Sequence, residues 1–124
     1  KFPFEDNQFD WVFSNAVIEH VGDDEAQLFF INEMLRVAKN VFFTTPNKYF
    51  PIESHTNIFF LHWNNKIFYN WCKKNKTWVT PNNLYLFSGN RLQKLMRLSD
   101  AKHSKIYNNW LFSMVMTYTV VCKK

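Results

Sequence analysis

The spacing of apolar residues along the chain changes several times, and each change marks a predicted element. Phe9–Asn15 is apolar on both faces, which is typical of an inner parallel strand covered by helices. Asp23 and Asp24 offer an N-cap and a favourable first-turn charge for a helix to about Lys39, whose apolar residues recur at three- and four-residue steps. Asn40 follows, where a helix C-terminus favours a residue tolerant of positive φ.

The middle of the chain continues this strand and helix order. Residues 41–45 form a second apolar strand, which Pro46 stops. A strand, a helix and a strand with short links predict a right-handed crossover in a parallel sheet. One or two helices are predicted over residues 57–74. Their aromatic stripe is interpreted as facing the core rather than forming a lid or lipid-contacting surface, and it contains Phe60, Trp63, Ile67 and Trp71.

The last third of the chain predicts a helix and a hairpin. Ser88 is placed to cap a helix over residues 90–98. Residues 101–107 and 111–122 follow as two strands, with Asn108 and Asn109 in a tight turn between them, so we expect antiparallel pairing. The fold class predicted is α/β, a mostly parallel sheet that ends in an antiparallel hairpin.

Composition limits the chain to one domain and excludes several kinds of site. Its 124 residues are 47% hydrophobic, which is enough for one core. Two glycines cannot build a G-x-G-x-x-G turn or a P-loop, and two cysteines fifty positions apart give neither a disulfide framework nor a zinc ribbon. We therefore expect a reducing, cytoplasmic location. No apolar run approaches the roughly 20 residues that span a bilayer.

The formal net charge of +5 raises the question of nucleic-acid binding. Its basic residues are scattered rather than clustered. Arg91, Lys94 and Arg97 have helical spacing and are interpreted as the solvated face of the last helix. A nucleic-acid partner is therefore not expected, because net charge alone reports on association rather than on chemistry.

Three segments of the chain carry a family resemblance, and the first lies at its start. FPFEDNQFDWVFSNAVIEHVGDD resembles the middle of a class I S-adenosylmethionine-dependent methyltransferase of the type 11-like kind, with a Pro-Phe loop, the fourth sheet strand and an Asn-Ala-x-x-Glu-His elbow. EMLRVAKNVFFTTPN is similar to the helix and fifth strand that follow in that family, with Lys39 and Asn40 in place of the usual glycine pair. PNKYFPIESHTNIFFLHW is similar to a segment found in a bacterial subset whose acceptors are mostly undefined.

The resemblance implies the second half of a Rossmann-like methyltransferase domain. Residues 1–124 are then expected to be its C-terminal portion, with the glycine-rich cofactor-binding half absent and the fragment inactive alone. The implied cofactor is S-adenosylmethionine. By resemblance Phe2 lies beside the adenine, while Asn15, Ala16 and Val17 run along the methionine portion. The loop carboxylates Asp6 and Asp10 are interpreted as a turn residue and a strand cap rather than as cofactor ligands.

The position of the acceptor follows from sheet geometry. Ligands of open α/β sheets bind outside the carboxyl ends of the strands. His20 and His55 follow two such ends and are predicted as general bases, with a structural role as the alternative for each. Asn47, Glu53 and His62 are candidates for contacting the acceptor, and Glu53 could instead orient His55. Glu53, His55 and His62 could also hold zinc, but their spacing matches no known pattern, so no metal is predicted.

The predicted function is methyl transfer to a small-molecule, lipid-linked or sugar-linked acceptor. An RNA or protein methyltransferase is the first alternative, for which the basic last helix would be the footprint. A degenerate domain that binds a partner without catalysis is the second. Peripheral membrane contact stays open, as does the oligomeric state.

Overall fold

The computed structural model describes residues 1–124. It contains three helices, six strands and two 3₁₀ turns, at Ile18–His20 and Leu61–Trp63. The elements in chain order are β1 (Phe9–Asn15), α1 (Asp24–Val37), β2 (Ala38–Pro46), β3 (Ile52–Glu53), β4 (Ile58–Phe59), α2 (Asn65–Asn75), α3 (Gly89–Leu98), β5 (His103–Leu111) and β6 (Met114–Lys123).

Four strands form one sheet in the order β1-β2-β6-β5. Strands β1 and β2 pair in parallel, joined by α1, whereas β6 runs antiparallel to both β2 and β5. The parallel strand–helix–strand unit, the α/β class and the C-terminal antiparallel hairpin are therefore confirmed. The expectation that Phe9–Asn15 is an inner strand covered on both faces is wrong for this chain, because β1 lies at the edge of the sheet and Trp11 and Phe13 are 58% and 67% exposed. Strands β3 and β4 form a separate two-stranded ribbon.

Helix α1 begins as predicted and ends earlier. Asp23 is its N-cap and accepts a hydrogen bond from the Ala26 N–H at 3.1 Å. The helix ends at Val37, and Ala38 continues directly into β2 with an extended φ of −133°. The prediction of a positive φ at Asn40 is wrong, because Asn40 is a strand residue whose amide donates to the Asp10 carbonyl.

The hairpin turn lies further along than predicted. Phe112 and Ser113 make the turn, with φ values of 48° and 64°. Asn108 and Asn109 lie within β5, so the prediction that they form the turn is wrong. The Asn109 amide donates to two threonine hydroxyls of β6, which satisfies its polar group inside the ladder.

Most of the aromatic stripe predicted in residues 57–74 does not face the core. Helix α2 starts only at Asn65, and it buries Phe68 and Cys72. Phe60, Trp63 and Ile67 are 53%, 39% and 51% exposed, so the core-facing interpretation is wrong for these three, whereas Trp71 packs against a smaller core that includes Phe68 and Cys72. The physical reason is the break at residue 64, which interrupts the helical spacing that the pattern assumed.

The main core lies between the sheet and the helices α1 and α3. Ser88 caps α3 as predicted, and the helix buries Leu92, Leu95 and Met96. The prediction that Arg91 is solvated is wrong. Its guanidinium lies 3.8 Å from the Tyr85 ring centroid and donates a hydrogen bond to the Asp24 carboxylate.

None of the helices has the length and apolar character that crossing a bilayer requires.

Candidate functional site

The carboxyl ends of β1 and β2 lie side by side, with Asn15 opposite Thr44. The Thr44 hydroxyl donates to the Asn15 side-chain oxygen at 2.5 Å, which leaves the amide N–H groups of Asn15 available. Ala16 then turns the chain out of the sheet with a φ of 51°, and its N–H donates to the Thr44 carbonyl at 3.1 Å. Non-glycine residues rarely adopt this conformation, and they do so mainly at turns and functional sites.

These strand-end residues are accessible to a ligand. Asn15, Ala16 and Val17 are all exposed. Phe2 lies elsewhere, against α1, where its ring packs edge to face on Phe30 and its N–H donates to Glu33. The structure therefore brings together three of the four residues predicted to bind cofactor.

The carboxylates Asp6 and Asp10 are both paired with cations. Asp6 accepts from Arg36 at 2.8 Å, and Asp10 accepts from Lys39 at 2.8 Å. These pairs agree with the interpretation of both carboxylates as structural rather than as cofactor ligands.

His20 and His55 form a pair beyond the strand ends. Their Nε2 atoms are 3.0 Å apart, although 35 positions separate them in sequence. The other ring nitrogen of each is also occupied. His20 Nδ1 lies 2.7 Å from the Asn83 carbonyl, and His55 Nδ1 lies 2.6 Å from Glu53 Oε1. The hydrogen bond to Glu53 raises the pKa of His55 above its ordinary value.

Glu53 organises the loop that carries His55. It is 2% exposed and accepts four hydrogen bonds, two from His55 and two from Thr56. Burial acts to raise the pKa of Glu53, but these hydrogen bonds outweigh it and hold the pKa at about 2. Glu53 thus orients His55, one of the two roles that the sequence suggested for it.

Glu19 is a site residue that the sequence analysis missed. It is fully buried, and its Oε2 accepts from the Thr45 hydroxyl at 3.1 Å. Its Oε1 has no hydrogen-bond partner and lies 3.9 Å from His20 Nε2. Burial raises the pKa of Glu19. The only signal in the sequence was its position next to His20 in the Asn-Ala-x-x-Glu-His elbow.

A cavity of about 260 Å³ adjoins the end of β2. Asn47, Glu53 and His62, the three predicted acceptor contacts, all line it, and Phe50 and Met116 add apolar walls. His62 Nε2 lies 2.7 Å from the Phe50 carbonyl, while its buried Nδ1 has no partner. Because Nε2 faces a carbonyl, it carries the proton and donates, which leaves Nδ1 as a free acceptor. Burial lowers the pKa of His62, which favours this neutral form.

Comparison by sequence gives one family. The family model described as "Methyltransferase domain" matches residues 1–41, which include the first segment that carried the resemblance. No curated protein matches the chain.

Comparison by structure covers the whole chain. A SAM-dependent methyltransferase from Methanosarcina mazei is similar with a TM-score of 0.59 and 12% identity, over 100% of this chain and 63% of that one. A SAM-dependent methyltransferase from Thermotoga maritima, described as a possible histamine N-methyltransferase, has a TM-score of 0.59 and 19% identity, over 100% of this chain and 60% of that one. A possible exported protein from Bordetella parapertussis has a TM-score of 0.61 and 10% identity, over 98% of this chain and 40% of that one.

The chain thus spans less than two thirds of the length of each of these structures. Their identities are low, so the structural likeness establishes the fold, while the family signal comes from residues 1–41. Taken together, the sequence match and the fold confirm the resemblance of this chain to the S-adenosylmethionine-dependent methyltransferases.

Proposed function

We propose that the protein takes part in methyl transfer from S-adenosylmethionine, with this chain binding the methionine end of the cofactor and holding the acceptor. The observation that carries the proposal is the juxtaposition of two features. An exposed strand-end rim, Asn15 to Val17, follows β1, and a cavity with an unpartnered imidazole nitrogen adjoins the end of β2. Ligands of open α/β sheets bind at this edge.

The residues at the strand end fit the methionine portion. The side-chain oxygen of Asn15 accepts a hydrogen bond from Thr44, so the side-chain NH₂ group is the part left for a ligand. An NH₂ group donates hydrogen bonds, which suits the carboxylate of the cofactor's methionine portion. The exposed Ala16 and Val17 offer a small apolar surface beside it. When bound, the cofactor supplies an electrophilic methyl group, and the protein's part is mainly to align the acceptor and exclude water.

The acceptor is proposed to be a small molecule or the end of a lipid-linked or sugar-linked metabolite. A cavity of about 260 Å³ suits a group of limited size, and its apolar walls leave a few polar contacts to orient it. His62 Nδ1 can accept a hydrogen bond from an acceptor hydroxyl or amine. His20 and His55 do not line this cavity, but Glu53 both lines it and orients His55. The histidine pair is proposed to take the proton that such a group loses.

The RNA or protein alternative has less support. Arg91, the first residue of the proposed basic footprint, is committed to Asp24 and to the Tyr85 ring. Lys94 and Arg97 remain exposed on α3, and two positive charges are few for a surface that binds nucleic acid. A non-catalytic binding domain remains the alternative that kinetics must decide.

The test separates acceptor chemistry from cofactor binding. In the purified full-length protein, His55→Ala should lower turnover while leaving cofactor affinity within about twofold, because His55 follows β2 and is not part of the Asn15 to Val17 rim that is proposed to hold the cofactor. His103→Ala removes an exposed histidine from β5 and is the matched control, with activity expected to be unchanged. An equal loss of cofactor affinity in His55→Ala would move His55 to a structural role. Turnover unaffected by His55→Ala would remove the acid–base proposal.

A further inference from the structure

We propose that Glu19, His20 and His55 bind one divalent transition-metal ion, with zinc as the best fit. The two Nε2 atoms are 3.0 Å apart, Glu19 Oε1 lies 3.9 Å from His20 Nε2, and the three donor atoms lie within 4.8 Å of one another. Zinc bonds of about 2.0–2.2 Å in a tetrahedron place ligand atoms roughly 3.4 Å apart. The first two distances lie within about 0.5 Å of that separation, whereas Glu19 and His55 would have to approach each other by up to about 1.4 Å.

The orientation of both imidazoles supports an ion between them. His20 Nδ1 faces a carbonyl, so it carries the proton, and His55 Nδ1 faces the Glu53 carboxylate and does the same. Both neutral imidazoles then direct an Nε2 lone pair at the other ring, a repulsive contact that a proton or a metal ion between them would make attractive. Metal-bound histidines are oriented in this way by a carbonyl or carboxylate at the second ring nitrogen.

Glu19 provides an independent observation. A fully buried carboxylate oxygen without a partner costs free energy, because it has lost its water and gained nothing in exchange. The Thr45 hydroxyl holds the other oxygen, which fixes the carboxylate plane. An ion at the histidine pair would satisfy the orphaned oxygen.

Exposure predicts an open coordination position. Glu19 is buried, whereas the side chains of His20 and His55 are 34% and 21% exposed. Three protein ligands with one accessible side match the catalytic rather than the structural type of zinc site, in which water or substrate is the fourth ligand. This set differs from Glu53, His55 and His62, because Glu53 orients His55 and His62 faces the Phe50 carbonyl.

The ion would occupy the Nε2 lone pairs of His20 and His55, so metal binding and the proton-accepting role proposed above for this pair exclude each other in one state of the protein. The metal proposal is therefore tested with the metal alone. Chelator-treated protein titrated with Zn²⁺ by calorimetry should bind one ion per chain. Co²⁺ should give the visible absorption of a tetrahedral site without a thiolate band, because the ligands are nitrogen and oxygen. His55→Ala and Glu19→Gln should abolish both signals. His103→Ala should retain them, which controls for binding by exposed histidines.

Two further measurements keep the result interpretable. Glu53→Gln keeps all three ligands but loses the carboxylate that orients His55, so affinity should fall about 10–100-fold. Thermal melting of each variant without metal shows whether it folds. If His55→Ala does not fold, the result for Glu19→Gln, which preserves side-chain size, decides the test. Absence of Zn²⁺ binding by the wild-type protein would overturn the proposal and leave a proton between the imidazoles. Equal binding by Glu19→Gln and the wild type would also overturn it.

Discussion

Replacing Glu53 with glutamine should destabilise the loop that carries His55. The carboxylate accepts from the backbone N–H groups of both His55 and Thr56, at 3.0 Å and 2.7 Å, on opposite oxygens. A glutamine has one oxygen and one NH₂ group. Whichever way the amide is turned, one of these backbone N–H groups faces another donor.

The cost follows from burial. Glu53 is 2% exposed, so water cannot replace the lost acceptor. An unsatisfied buried donor costs about 1–3 kcal/mol, and losing a hydrogen bond to a charged group adds about 1.5–3 kcal/mol. Because the amide keeps part of the network, we expect a total of about 3 kcal/mol. For a domain of this size that corresponds to a fall in Tm of roughly 10 °C.

Thermal unfolding followed by circular dichroism measures the effect. Glu25→Gln is the matched control, because Glu25 is an exposed carboxylate in the first turn of α1, and its Tm should change by less than about 2 °C. A Glu53→Gln protein whose Tm falls no more than that of the control would refute the account of Glu53 as the organiser of this loop.

Two further predictions concern stability. Hydrogen bonds from Arg36 hold the pKa of Glu33 at about 2, below its usual 4.5, so this contribution to stability is present above pH 4.5 and is lost as pH falls towards 2. Arg36→Met should flatten that part of a plot of Tm against pH, and an unchanged slope would contradict the pairing. Phe112 and Ser113 adopt positive φ in a two-residue turn, a conformation that Asn-Gly adopts with less strain. Replacing them with Asn-Gly should therefore raise the Tm by several degrees. A lower Tm would show that Phe112 makes contacts that outweigh the strain.

The sequence predicted element bounds and helix caps where local signals are sufficient. The bounds of β1 match, although Trp11 and Phe13 are exposed rather than covered, and the caps Asp23 and Ser88 act as the sequence suggested. Errors arose where a local signal competed with tertiary pairing. Asn108 and Asn109 have turn propensity, but their place in β5 is decided by pairing with β6, a contact that a local pattern does not contain.

The candidate site shows the same division. Residues at strand ends, such as Asn15, could be placed because sheet geometry fixes where strands end. The pairing of His20 with His55 depends on a loop conformation that the buried Glu53 imposes, and neither spacing nor composition encodes it. Glu19 was missed for a related reason, since its unpartnered oxygen becomes visible only when its burial is known.

Calorimetric titration of S-adenosylmethionine into the purified full-length protein and its Asn15→Leu variant tests the central claim most directly. We predict that Asn15→Leu weakens binding about tenfold or more, because a donor to the cofactor carboxylate is replaced by an apolar branch. Asn70→Leu, at an exposed position of α2, should bind as the wild type does. Equal affinity of Asn15→Leu and the wild type would contradict the placement of the cofactor at the carboxyl end of β1.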